Sequence, residues 1–252
     1  MNTAEPAPCE LLPWDTEFFG CRIARVCGNS LCPETATQIE DWCRTNQIRA
    51  VYFLSRADDP VSVRTAEQSG FGLVDVRVAF QRPLNANEPE IQFQPDNIRI
   101  RPVQPDDVPL LQAIARAAHH DTRFFSDTHF SPQRAEDLYA VWVAKEAQGR
   151  AQMVLVAAIT DDRPAGYVSC HLDAARSEAQ IGLVGVAAAA RDKGIGGALV
   201  RAAIHWCRNQ GAGELTVVTQ GKNFAAQRLY QRCGFQTRDL KLWYHKWYPA
   251  PK

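Results

Sequence analysis

Residues 181–201, IGLVGVAAAARDKGIGGALVR, constrain this chain more than any other stretch. An apolar run ends in a short linker, and the block Arg191, Asp192, Lys193, Gly194, Ile195, Gly196, Gly197 and Ala198 then opens a helical pattern. Glycines without a Cβ let backbone approach a ligand closely. The helix that follows offers unpaired N–H groups and a positive dipole end, both suited to phosphate oxygens. Arg191 and Lys193 add full charges at the same place. The block reads as a pyrophosphate cradle, although an ordinary strand-to-helix turn can also be rich in glycine. The spacing is not the G-x-x-x-x-G-K-[ST] of the nucleotide-triphosphate loop.

A chain of 252 residues suffices for one large domain or two small ones. With 46% hydrophobic and 22% charged residues it has the profile of a soluble globule. Twenty-eight basic residues balance 28 acidic ones, so the electrostatic footprint of a nucleic-acid binder is absent, as is a polybasic membrane arm. No apolar run reaches the roughly 18 residues of a membrane span, and the first ten residues lack the pattern of a signal peptide. The expected location is cytoplasmic. Eight cysteines contain no C-x-x-C pair and no zinc spacing, which points to structural thiols and no metal.

Read in order, residues 1–20 carry Trp14, Phe18 and Phe19 and suggest a plug over a core edge. Strands are expected at 21–26, 50–55 and 71–82, and helices at 33–46 and 61–69. The polar, proline-bearing stretch 84–97 reads as a linker. Beyond it the pattern gives a strand at 98–102, a helix ending near His119 and an irregular then helical segment at 121–142. A hairpin of 153–159 with 165–172 follows, then strands at 180–187, 214–219 and 236–247 alternating with the cradle helix and a helix at 223–233. The segment 121–142 mixes Arg123, His129, Phe130, Tyr139 and Trp142, which suits a nucleotide but equally suits an apolar helix face. A repeat is visible: Ala66 to Phe71 is echoed by Tyr230 to Phe235, each a helix end, a glycine and a strand. The expected domains are 1–90, a degenerate half without a cradle that shapes the substrate site, and 96–252, the catalytic part.

Arg191, Gly194 and Gly196 fit [RQ]-x-x-G-x-G, and Asn223, Ala226, Leu229, Tyr230, Gly234 and Phe235 fit N-x-x-A-x-x-L-Y-x-x-x-G-F. Together with the element order over about 150 residues, the chain resembles the GCN5-related N-acetyltransferase (GNAT) family. The resemblance implies an α/β GNAT fold, with a mixed, mostly antiparallel sheet flanked by helices, and acetyl-CoA as co-substrate. It implies that backbone of Leu183, Val184, Gly185 and Val186 pairs with the pantetheine arm. The N–H groups of Lys193, Gly194, Ile195, Gly196, Gly197 and Ala198 then hold the pyrophosphate, with Arg191 and Lys193 nearby. Asn223 binds the pantetheine or the adenosine-phosphate end, and Tyr230 is the general acid facing the departing thiolate.

A closer resemblance, through Trp14, Asp15, Phe18, Phe19 and Gly20, Arg123 and Phe124 with Tyr139 and Trp142, Gly166 to Ser169, and Thr219, Gln220 and Asn223, is to the TDP-fucosamine N-acetyltransferases within that family. It implies a nucleotide amino sugar as acceptor, contacts from Arg123, His129, Phe130, Tyr139, Trp142 and Gln220, a place in surface-glycan synthesis, and a homodimer. It also offers Asp75 as the base, where the pattern carries Glu. A free Asp titrates at about 3.9, too acidic for a strong base at neutrality, so Asp75 serves equally as a residue that attracts the cationic amine. Two rivals stay open: a GNAT enzyme acting on a peptide N-terminus or another small amine, and a non-catalytic acyl-CoA-binding module.

Overall fold

The computed structural model describes residues 7–85, 98–159, 162–173 and 175–249. Its elements run β1 (Cys9–Leu11), α1 (Pro13–Phe19), β2 (Ile23–Val26), α2 (Pro33–Thr45), β3 (Ala50–Arg56), α3 (Pro60–Gln68) and β4 (Gly72–Pro83). They continue with β5 (Arg99–Pro102), α4 (Val108–Ala118), α5 (Arg123–Ser126), α6 (Pro132–Lys145), β6 (Met153–Ile159), β7 (Arg163–Asp173), β8 (Glu178–Val186), α7 (Ile195–Asn209), β9 (Glu214–Gln220), α8 (Phe224–Arg232) and β10 (Gln236–Trp247). Two compact units emerge. The first holds residues 1–77, 126–129 and 240–252, and the second holds 78–125 and 130–239. The first unit therefore draws on three separated pieces of chain. Residues 86–97, most of the expected linker, lie outside the described residues.

In the first unit, β1 pairs antiparallel with β2, β2 parallel with β3, and β3 antiparallel with β10. Ala50, Val51, Tyr52 and Phe53 are all fully buried, as expected for a strand covered on both faces. Ile39 and Cys43, one helical turn apart, are the residues α2 buries. They join Val26, Leu31, Val51, Phe53, Phe71 and Tyr244 in one core. The N-terminal stretch, expected to plug a core edge, folds as a strand and a short helix. Pro13 stands in the first helical turn, and left-handed Gly20 closes it by donating its N–H to the Thr16 carbonyl. Its aromatics pack on one another, with Trp14 stacked 5.0 Å from Phe18.

In the second unit, β5, β6, β7 and β8 pair antiparallel in turn, and β8 pairs parallel with β9. The buried residues of α7, including Ile195, Leu199, Ala203 and Cys207, recur at helical spacing on the face turned to the sheet. The helix lies close: a Cβ on Gly166 of β7 would come within 3.1 Å of both Ile195 and Leu199. Tyr167, the next residue, points to the other face by strand alternation, where α4 and α6 pack on each other. The sheet is thus mixed and mostly antiparallel with helices on its faces, as expected.

The sequence repeat is a repeat of backbone geometry. Gly70 and Gly234 sit at φ 81° and 82°. Phe71 donates its N–H to the Ala66 carbonyl and Phe235 donates to the Tyr230 carbonyl, both at 3.0 Å. Each glycine ends a helix in the left-handed conformation and aims the next strand.

Candidate functional site

Ala188–Ala190 forms a short 3-10 turn, Arg191 is extended, and Gly194 is the N-cap of α7 at φ 79° and ψ −1° with no side-chain cap. The first N–H groups of a 15-residue helix are thereby left to a ligand. Asp192 is also left-handed, at φ 61°. Arg191 donates to the Ala117 carbonyl at 3.2 Å and Lys193 to the Ala189 carbonyl at 3.0 Å, which holds both cations beside the turn. A Cβ on Gly196 would stand 3.2 Å from Leu229, so this position takes helix-to-helix contact as well as backbone approach.

Among the described residues, the pairing of β8 with β9 runs from Glu178 opposite Glu214 to Ile181 opposite Val217 and stops there. Beyond it β8 continues to Val186 and β9 to Gln220 without partnering each other, so Leu183, Val184, Gly185 and Val186 line a parted edge that leads toward the cradle. On the β7 side the register slips between Val168 and Cys170, and the Leu183 N–H is taken by Ser169 Oγ at 2.9 Å. Such a bulge re-aims the strand at the point where the two strands part.

Asn223 caps α8, its Oδ1 accepting the Ala226 N–H at 3.1 Å. Seven residues on, Tyr230 is the residue α8 buries, 5% exposed, with Phe80 and Phe235 at 5.9 Å between ring centroids. Burial, and then the neighbouring Cys233, push its hydroxyl above the ordinary phenol range, so it stays protonated. Gln220 ends β9, and its carbonyl accepts from Gln227 Nε2 at 3.1 Å.

The residues expected to meet an acceptor divide between the units. Arg123, Phe130, Tyr139 and Trp142 fall in the second. Phe130 and Tyr139 are each 6% exposed and form part of an aromatic cluster: Phe124 meets Phe130 at 5.4 Å and Trp142 at 6.3 Å, and Tyr139 meets Trp142 at 5.2 Å. The Arg123 guanidinium lies 4.3 Å over the Phe124 ring. Asp75, half-buried on β4, and His129 fall in the first unit.

His129 stacks on Trp247 at 4.6 Å and faces Asp127, its Nδ1 2.8 Å from Oδ1. Asp127 also accepts from Trp247 Nε1 at 2.8 Å and lies 2.7 Å from His245 Nδ1. Burial alone would raise the Asp127 carboxyl, but the hydrogen bonds from His245, Trp247 and His129 outweigh it and hold the group well below the usual carboxylate range. A depressed folded-state pKa adds stability that is complete above the unfolded value of about 3.9 and is lost as pH falls toward the folded one. Asp127→Ala should cost about 3 kcal/mol at pH 7, since it strands buried His245 and the part-buried Trp247 indole N–H. Urea unfolding from pH 7 to 2.5 should show the wild type losing this advantage below about pH 4 while the variant's curve stays flatter.

Three further residues stand at the parted strands without having been assigned a role from sequence. Tyr167, Ser169 and His171 share one face of β7 by alternation. Tyr167 OH lies 2.9 Å from His119 Nε2, and His119 stacks on Tyr139 at 4.6 Å. Burial, with His120 beside it, pushes His119 down to about 4. A Cβ on Gly185 would come 2.6 Å from the Tyr167 ring, so glycine there makes room for it. His171 Nε2 lies 2.7 Å from Oε2 of Glu146, which is 6% exposed and sits at the head of a π-helical turn after α6. Polar side chains recurring at every second position of an otherwise apolar strand were the available signal.

The second unit thus places a helix start with uncapped N–H groups, two parted strands and a helix that buries a phenol within one sheet-and-helix frame. Residues 112–235 match the acetyltransferase (GNAT) family, and the chain is an acyltransferase carrying a GNAT domain. That family uses acetyl-CoA. The dTDP-fucosamine acetyltransferase of Escherichia coli O6:H1 is 28% identical over 244 residues, 95% of this chain and 98% of that protein. Spore coat polysaccharide biosynthesis protein SpsD of Bacillus subtilis is 28% identical over 155 residues, 61% of this chain and 52% of that one. In fold, the chain is similar to a GCN5-related N-acetyltransferase from Sphaerobacter thermophilus, with a TM-score of 0.65 at 19% identity over 97% of this chain and 78% of the other. Among the described residues no helix is long and apolar enough to cross a membrane, and no cluster of ligating side chains could hold a metal.

Proposed function

We propose that this enzyme moves acetyl from acetyl-CoA directly to the amino group of a nucleotide-activated amino sugar, a dTDP-4-amino-4,6-dideoxyhexose used for surface polysaccharide. The observation that carries this reading is the reach of the similarity. It spans 95% of the chain, well beyond residues 112–235, and so includes the part that a family-wide likeness leaves out. The N-terminal part, 1–90, then shapes the acceptor site, and 96–252 performs the transfer. Both substrates are small molecules of the cytoplasm.

The site residues fit acetyl-CoA. The uncapped N–H groups at Gly194, Ile195, Gly196 and Gly197, with Arg191 and Lys193 beside them, suit a pyrophosphate. The parted edge at Leu183, Val184, Gly185 and Val186 suits the amides of a pantetheine arm, which would add to β8 as a strand does. Tyr230 serves the departing thiolate. Arg123, Tyr139, Trp142 and Gln220 are offered to the nucleotide sugar, and Asp75 to its ammonium.

Release of free CoA should be followed with acetyl-CoA and four acceptors: TDP-4-amino-4,6-dideoxygalactose, its gluco epimer, a UDP-amino sugar and a peptide amine. Activity confined to the TDP sugars is expected. Activity on the peptide alone would overturn the acceptor assignment and leave the acyltransferase standing.

A further inference from the structure

The pair Glu146 and His171 belongs to neither motif, and three observations make it a site. First, Glu146 is 6% exposed, and its Oε2 has no aligned hydrogen-bond donor among the described residues although His171 Nε2 is 2.7 Å away. A buried carboxylate oxygen in that state is costly, and a proton held on Nε2 and turned toward it would satisfy it. Second, two polar atoms converge beside Gly182. A Cβ there would stand 2.7 Å from His171 Nε2 and 2.8 Å from Ser169 Oγ, whose residue is fully buried. Third, Gly182 follows Ile181, the last residue of β8 paired with β9. The imidazole therefore opens onto the vertex where the strands part, and with 31% of its side chain exposed it is reachable.

We infer that His171, backed by Glu146, is the group that removes the proton from the acceptor amine, with Ser169 fixing the bulge beside it. This rests on the acetyl transfer to an amine proposed above. With Nε2 holding its proton toward Glu146, one proton passes from the acceptor ammonium through water to the other ring nitrogen of His171, Nδ1, and onward to water. The freed electron pair forms the C–N bond to the acetyl carbon. The second proton leaves nitrogen as the C–S bond breaks and reaches sulfur through the Tyr230 hydroxyl, which gives one proton and regains one. Glu146 is a positioning residue: it faces the imidazole and fixes its tautomer and orientation, as a buried carboxylate does for other functional histidines. The charged and titratable groups facing the pair are Arg150, whose Nε lies 3.6 Å from Glu146 Oε1, and Tyr167, whose hydroxyl burial, Tyr139 and the Glu146 charge all push up. His119 stands behind Tyr167.

The test compares His171→Gln, Glu146→Gln and Asp75→Asn with the wild type. The readouts are kcat/KM for the amine from pH 6 to 10, on whichever acceptor of the panel the wild type acetylates, and acetyl-CoA affinity by calorimetry. His171→Gln should lose about 100-fold at pH 7, the span of a missing general base. It should hold acetyl-CoA within twofold and recover as pH rises, because solvent then supplies the free amine. Glu146→Gln should lose about tenfold with the same recovery. A wild-type pH profile in His171→Gln, or a loss equal at every pH, overturns the assignment. So does an Asp75→Asn variant that alone shows the pH-rescued loss. A wild type active only on a non-sugar amine sinks the sugar reading, while the pH comparison on that amine still decides the role of His171.

Discussion

Gly194→Glu is expected to reduce acetyl-CoA affinity by at least about 1,000-fold in calorimetry. Two effects combine at this position. Gly194 holds φ 79°, where a side chain costs about 1–2 kcal/mol, so the turn is pulled away from its geometry. A carboxylate would also settle on the helix start, satisfy the N–H groups that no side chain caps and repel the incoming pyrophosphate. Gly194→Asn separates the two effects, because asparagine tolerates the left-handed region and brings no charge. It should bind within about tenfold of the wild type. Melting temperatures near that of the wild type in both variants would show that the loss belongs to the site. Retained affinity in Gly194→Glu would remove the pyrophosphate assignment altogether.

The parts of this protein that could be read from sequence are those where local chemistry has a single solution. A glycine run at a helix start, apolar residues at helical spacing along α7, and the Gly70 and Gly234 helix stops all declare their geometry through one or two neighbouring residues. Contacts made over distance did not declare themselves. The expected helix at 33–46 appears as Pro33–Thr45, yet nothing in that stretch announces that Lys246 would pair with Glu40. His129 looked like one member of an aromatic, basic substrate patch. It faces Asp127 and stacks on Trp247, a partner 118 residues away in the chain, which no spacing rule anticipates. That Glu146 and His171 meet was hidden for the same reason. One opens a π turn after α6, the other sits near the end of β7, and only the pairing of β7 with β8 brings the imidazole beside Gly182. Three large rings in six residues suggest a plug, and Pro13 and Gly20 punctuate them into a short helix.

Tyr230→Phe is expected to lower kcat by about 1,000-fold while leaving acetyl-CoA affinity nearly unchanged, and the physical setting of the phenol explains the split. A thiol of the cysteine type titrates at about 8.5 and a free tyrosine at about 10. Burial moves Tyr230 still higher. A transfer that left a phenolate behind would therefore be uphill, so the phenol first strengthens its hydrogen bond as charge gathers on sulfur and gives its proton only as it regains the one leaving nitrogen. The thioester of bound acetyl-CoA carries no such charge, so the ground state gains little from the hydroxyl and the transition state gains much. Phenylalanine keeps the ring between Phe80 and Phe235, which protects the packing of α8 and isolates the effect of one oxygen. A leaving group that needs no assistance should restore the rate. An acetyl thioester of a more acidic thiol, turned over by both forms, is expected to narrow the gap between wild type and variant. If the variant turns over acetyl-CoA at the wild-type rate, Tyr230 is a core residue of α8 and the thiolate must find its stabilisation from backbone N–H groups along the parted edge of β8.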